Sequence, residues 1–290
     1  MKEVLAVKKN SHKKWKIGHI IAAVAIIAGG LIMIYPLLWM VMSSFKENNE
    51  IFDQASSLWP EVFHFENYAN GWKGFAGISF GKFFTNSLFI TVIGTIGSVF
   101  SSAFIAFGFA RLKFKGRKVW FTCMLLTMML PFQIIMIPQY LIFNKLGWVG
   151  TFLPMIVPHF FGGAFFIFLI IQFIYGIPKD MDEAAKIDGC SYYGIFFRII
   201  LPLIVPALVT CAIFSFMWKW DDFMGPLLYL NRPTTYTVSL ALKMFADPTS
   251  LSDWGAMFAM ATLSVLPMFL IFVFFQKYLV EGISTEGLKG

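Results

Sequence analysis

Along the chain, long apolar stretches are separated by shorter polar ones. A hydrocarbon core of about 30 Å takes about 20 helical residues to cross. Six stretches meet that length: Ile17 to Ser43, Phe84 to Ala110, Trp120 to Phe143, Thr151 to Tyr175, Ile199 to Trp218 and Gly255 to Phe275. None shows the apolar/polar alternation of a barrel strand, so helices are expected. The first follows a basic tail, as a signal peptide does, but its apolar run exceeds the 7–15 residues of a typical h-region. It is expected to persist as a helix. The pattern therefore predicts an all-α membrane protein of six transmembrane helices. A basic tail, 1–16, precedes a membrane domain, 17–280, and a short tail, 281–290, follows.

Composition agrees with this. The chain is 58% hydrophobic, 18% aromatic and 13% charged, with a mean hydropathy of +0.72. Soluble domains carry about 25% charged residues. The figures exclude a water-soluble globule, a disordered chain and a disulfide scaffold. The net charge of +7 is no nucleic-acid footprint once its placement is read. Sixteen of the 23 basic residues fall in the basic tail, the loops after the second and fourth stretches, and the C-terminal end; seven fall in the intervening loops. By the positive-inside rule, both termini are expected in the cytoplasm. The opposite side carries two sizeable segments, about Lys46 to Lys82 and Lys219 to Asp253. The three cysteines (Cys123, Cys190, Cys211) imply no disulfide framework.

The chemistry that is missing is informative. No carboxylate, lysine or arginine lies well inside a predicted span, whereas ion-coupled carriers place such groups there. His159 is the exception, read either as a hydrogen-bonded packing residue or as a proton relay. No G-x-x-x-x-G-K-[ST] loop exists to cradle nucleotide phosphates. No catalytic or metal-ligating constellation stands out, and no cofactor is expected on this chain. Eight prolines fall in the spans: Pro36, Pro131, Pro138, Pro154, Pro158, Pro202, Pro206 and Pro267. Membrane helices tolerate proline, yet kinks at these positions also suit a bundle lining a changeable cavity.

The loop after the fourth span, 176–198, carries the most pattern. Asp180 and Glu183 have capping-box spacing, a helix of about two turns is expected to Ile187, Gly189 can supply the left-handed residue that ends it, and Ser191 can cap a second short helix. From the residues alone, this is either an amphipathic hairpin on the headgroups or a docking element.

These residues resemble the EAA loop of ABC importer permeases. Glu183-Ala184-Ala185, Gly189 and Ile199-Ile200-Leu201-Pro202 match it in identity and spacing, and Asp188 and Pro206 extend the match toward the carbohydrate branch. Trp220-Asp221-Asp222-Phe223 with Gly225-Pro226-Leu227 resembles the W-N-D/E-F-x-x-P-L stretch of sugar permeases, with Asp221 in place of the commoner Asn. The C-terminal end is similar to that of the maltose-type second permease subunit. The resemblance implies a type I importer permease fold and an oligosaccharide or glycoside as cargo. It implies a homologous second permease as heterodimer partner, two copies of a cytoplasmic ATPase that use ATP and Mg, and an extracytoplasmic solute-binding protein. It assigns ATPase coupling to Glu183, Ala184, Ala185, Asp188, Gly189, Ile199, Leu201 and Pro202. Phe245, Asp247 and Pro248 would face the binding protein. Trp218, Trp220, Asp221 and Asp222 are candidates for the solute path; as sequence they are equally an aromatic belt at the membrane interface. A permease for amino acids or peptides, or a channel or carrier acting alone, are the alternatives.

Overall fold

The computed structural model describes residues 17–53, 57–245 and 253–284. In chain order the helices are α1 (Ile17–Ser43), α2 (Asn48–Asp53), α3 (Glu66–Lys73), α4 (Phe80–Arg111), α5 (Arg117–Thr127), α6 (Phe132–Lys145) and α7 (Leu153–Ile156). A 3-10 segment, Val157–Phe161, leads to α8 (Ala164–Tyr175), α9 (Asp180–Ile187) and α10 (Tyr192–Ile195). A π-helical turn, Phe196–Ile200, then joins α11 (Leu201–Leu203), α12 (Val205–Trp220) and α13 (Met224–Tyr229). After a 3-10 turn, Pro233–Thr235, come α14 (Val238–Phe245) and α15 (Trp254–Ser284). The last helix thus runs past residue 280, and the basic tail 1–16 lies outside the described residues.

Four stretches are each long and apolar enough to cross a membrane without a sharp bend: Gly18–Ser43, Phe80–Arg111, Leu153–Tyr175 (interrupted at Gly162 and Gly163 before α8) and Trp254–Tyr278. The third and fifth spans, expected as continuous helices, are broken instead. α5 and α6 meet at 100°, and the Tyr192–Leu203 and Val205–Trp220 segments meet at 76°. Proline explains both. Pro131 forces Leu130 away from helical geometry, so the chain turns there and α6 restarts at Phe132. Pro202 has no N–H for a helical bond, and the Leu201 N–H reaches back to the Phe196 carbonyl in a π turn. Pro206 then opens α12 after Ile204 leaves the helical region.

α4 is the central helix. Its small and apolar face, Ala103, Ala106, Phe107 and Ala110, packs on Ile167, Ile170, Ile171 and Ile174 of α8 and on Phe196, Ile200 and Ile204 at the start of the fifth span. Small residues allow close helix approach where lipid supplies no hydrophobic drive between helices. Gly97 illustrates the need: a Cβ there would lie 2.7 Å from the Phe160 ring. By contrast, α1 is apolar on all faces and uncovered across its span, as a lipid-facing helix must be.

At the end of the bundle remote from α9, the described parts of the two polar segments are folded. Asn67 Nδ2 donates to the Ser44 and Lys46 carbonyls at 3.0 and 2.9 Å, closing the end of α1. Lys46, counted in the sequence among the basic residues opposite the termini, is fully buried and donates to the Ser57 carbonyl at 2.6 Å. α14 packs with α4 and α15 through Phe80, Phe83, Val238, Ala241, Ala259 and Met260.

Candidate functional site

The α9–α10 hairpin begins one residue earlier than its capping pattern predicts. Lys179 already has helical geometry (φ −70, ψ −23) and no side chain caps the helix. Asp180 therefore falls inside the first turn, and the expected Asp180/Glu183 capping box does not form. The other local expectations hold. Gly189 has φ +78, the left-handed conformation that ends α9, and the Ser191 hydroxyl accepts the Gly194 N–H at 3.2 Å. Glu183, Ala184, Asp188 and Gly189 are exposed and Ala185 half-buried. Ile187 is 87% exposed, beside exposed Tyr192 and Tyr193. Ile199 and Leu201 are half-buried and Pro202 is exposed. The hairpin thus offers a small-residue, partly apolar knob.

One contact holds it that the sequence did not signal. Arg111, the last residue of α4, pairs with Asp182 at 2.8 Å, and the two side chains are 3% and 8% exposed. Its Nη2 also donates to the Ile177 carbonyl at 2.7 Å. In the sequence Arg111 counts only as one of five clustered loop charges.

The Trp-Lys-Trp-Asp-Asp stretch separates into different environments, because successive helical residues point about 100° apart. Trp220 is 6% exposed, stacks on Phe216 (5.8 Å), meets Phe84 (5.7 Å), and donates its indole N–H to the Ser264 carbonyl at 2.9 Å. Trp218 is 54% exposed and lies against Phe165, Phe166 and Phe214. Asp221 is exposed. Asp222 accepts the Gly225 N–H at 3.0 Å. Burial raises its carboxyl above the ordinary carboxylate range, opposed by the Gly225 and Met224 backbone N–H groups. Phe245 packs on Phe80 at 6.0 Å, and Asp247 and Pro248 lie outside the described residues.

Lys219 corrects the sequence reading, which placed it in an outer loop. Its side chain turns back into the bundle, donating to Ser215 Oγ at 2.8 Å and Ser98 Oγ at 3.1 Å. Room for it comes from Gly94, where a Cβ would lie 2.9 Å from Lys219 Cε and 3.4 Å from the His159 ring. The signal was available: Ser215 stands one turn before Lys219, and α4 carries Gly94 and Ser98 at the same spacing. Lys219, Asp222 and His159 line two cavities, of about 150 and 590 Å³. Thr91 lines the smaller one; it is buried, and its hydroxyl has no partner among the described residues. Trp218 lines the larger one. No group of three or more potential metal ligands occurs among the described residues.

A multi-pass helical bundle with broken spans, cavities that share His159, Lys219 and Asp222, and an exposed helical hairpin is consistent with the architecture of a membrane translocation subunit. The chain belongs to the family of binding-protein-dependent transport system inner membrane components, whose model matches residues 98–285. Members are permease subunits of ABC importers, transport components without an ATPase domain of their own. A probable ABC transporter permease protein of Bacillus subtilis, YurM, is 36% identical over 99% of this chain and 94% of its own. The arabinooligosaccharides transport system permease protein AraQ of the same organism is 30% identical, covering 90% and 92%. The diacetylchitobiose uptake system permease protein NgcG of Streptomyces coelicolor is 31% identical, covering 89% and 85%. Among solved structures, a bacterial ABC transporter involved in import of the acidic polysaccharide alginate has a chain of the same fold. It has a TM-score of 0.81 at 21% identity over 92% of this chain and 98% of its own.

Proposed function

We propose that this chain is one of two permease subunits of an ATP-driven oligosaccharide or glycoside importer. It would pair with a homologous permease, dock two copies of a cytoplasmic ATPase that use ATP and Mg, and receive solute from an extracytoplasmic binding protein. Both termini and the 176–198 loop would then face the cytoplasm, with Glu183, Ala184, Ala185, Asp188 and Gly189 at the ATPase and Ile199, Leu201 and Pro202 joining the hairpin to the fifth span. Phe245, Asp247 and Pro248 would lie on the binding-protein side. The arabinooligosaccharide and diacetylchitobiose relatives support a saccharide cargo.

The observation that carries the solute path is the pair of cavities sharing His159, Lys219 and Asp222, with Trp218 on the wall of one. A half-exposed indole offers a face for sugar C–H groups, and the polar groups can exchange hydrogen bonds with hydroxyls. Asp222 is part of that polar lining, Asp221 would meet solute only at the exposed end of α12, and Trp220 holds the helix that carries them. The test is ATP-driven uptake by the complex reconstituted with its sister permease, ATPase and binding protein, using labelled oligosaccharides, amino acids and peptides in parallel. Uptake restricted to amino acids or peptides would overturn the saccharide reading, and gradient-driven uptake by this chain alone would overturn the whole assignment.

A further inference from the structure

Among the described residues one ion pair is shielded from solvent on both sides, and it ties the α9 hairpin to the central helix. The Arg111 guanidinium meets the chain twice: its Nε lies 2.8 Å from Asp182 Oδ2 as an ion pair without hydrogen-bond alignment, and its Nη2 donates to the Ile177 carbonyl just before α9. Asp182 is the one buried residue of α9, with Ala185 adding partial contact to the core. The helix is eight residues long, has no side-chain cap, and is too short to persist unsupported. Packing of Ile177, Ala185 and Cys190 on the core seats the hairpin, and Arg111 is its polar link to α4.

Stability alone does not explain such a pair. Desolvating both charges can cost more than their attraction returns, and an apolar pair of similar volume often holds at least as well. Asp182 Oδ1 and Arg111 Nε are both buried with no hydrogen-bond partner among the described residues, which raises that cost further. What the guanidinium adds is direction: the Nη2–H bond to the Ile177 carbonyl fixes its plane at the entry to α9 while its charge holds Asp182 beside it. Arg111 also ends the helix whose middle section bonds Lys219 through Ser98 and so borders the cavities. The geometry points to Arg111 and Asp182 as positioning residues that carry displacement of the α9 hairpin into α4, and through α4 to the cavity wall. This inference rests on the reading of α9 as the ATPase-coupling helix.

The experiment uses the complete reconstituted complex with Cys123, Cys190 and Cys211 replaced by Ser. Trp218→Cys serves as a cavity reporter for a membrane-impermeant maleimide, with ATP and vanadate as the only probes of state. In the parent, trapping with ATP and vanadate is expected to change the labelling rate at least threefold. Asp182→Asn and Arg111→Gln are expected to keep ATP hydrolysis within twofold while that change disappears. The swap Arg111→Asp with Asp182→Arg should restore at least half of it. A reporter response retained in both single variants overturns the inference. So does loss of complex assembly even in the charge-keeping Arg111→Lys and Asp182→Glu variants, which would make the pair a structural brace. A separate Ala184→Cys cross-link to the ATPase distinguishes the underlying reading: failure to cross-link in the parent removes the coupling assignment itself.

Discussion

Trp218 and Trp220 stand two residues apart in one helix, and their surroundings predict opposite outcomes on truncation. Trp220→Ala removes a 6% exposed indole lodged among Phe84, Phe216 and Ser264. Buried Trp→Ala changes in soluble cores cost about 3–5 kcal/mol. In a bilayer the transfer part shrinks, because lipid replaces water as the reference, while the lost dispersion contacts remain. A destabilisation of about 3 kcal/mol is therefore expected, of which the indole hydrogen bond contributes about 1 kcal/mol. Trp220→Phe isolates that last share and should cost about 1 kcal/mol. Trp218→Ala removes a ring that is 54% exposed and packed on one side only; about 1 kcal/mol is expected, the scale of one aromatic pair. Its loss should instead reduce uptake about tenfold at equal amounts of folded complex. The assay pairs detergent-unfolding midpoints of the purified complex with uptake normalised to assembled protein. Equal destabilisation by the two Ala variants, or an unshifted midpoint for Trp220→Ala, would refute the division between packing and path.

Three further outcomes follow from other contacts. Lys219→Met keeps the side-chain volume beside Gly94 but deletes two hydrogen bonds, each worth about 1.5–3 kcal/mol for a charged donor; avoided desolvation offsets them. Its thermal midpoint should stay near that of the parent while uptake falls, and a collapse in stability would make Lys219 a structural residue. Gly189→Asp places charge at an exposed left-handed turn with open space around it, so insertion should survive while ATPase coupling fails. Gly189→Asn, which also tolerates that conformation, should couple normally, and equal uptake by both variants would count against the docking role. Ser102→Ala leaves the Gly163 N–H, now bonded at 3.0 Å, without its acceptor, at a cost of about 1–3 kcal/mol readable as a lowered unfolding midpoint.

How much of this was legible varies with the range of the interaction. Gly189 and Ser191 were readable because a left-handed stop and a hydroxyl cap are local and need only their immediate neighbours. The six apolar stretches were readable because lipid imposes one length on all of them. The Asp180/Glu183 box failed although its spacing was right, since helical geometry already starts at Lys179. Arg111 with Asp182 was invisible, because nothing in either segment encodes the approach of the α4 terminus to α9. Lys219 was misplaced for a related reason. At a helix end one residue of rotation decides whether a lysine meets solvent or the bundle, and the serines that receive it belong to two helices.

Two of the breaks, between α5 and α6 and before α8, border the cavities; the one at Pro202 in the fifth span does not. Thr127 and Met128, where α5 ends, line the larger cavity, as do His159 and Gly163 at the break before α8; Phe132 and Gln139 of α6 line the smaller one. Irregular backbone at membrane depth survives only where protein or a polar cavity satisfies it. α4 supplies part of that satisfaction for the fourth span: Ser102 Oγ accepts the Gly163 N–H, while Ser101 Oγ, whose proton has its shortest acceptor in the Gly97 carbonyl at 2.6 Å, lies 3.2 Å from the His159 carbonyl. The same helix holds Lys219 through Ser98. Its serines therefore explain two features at once, the close packing around α4 and the stability of broken helices around a cavity. A rigid anchor would need neither. The breaks at Pro131 and before α8 and the small polar face of α4 therefore belong to one region of the bundle, and a shift of α4 would move the hydrogen bonds from Ser98 to Lys219 and from Gly163 to Ser102 together.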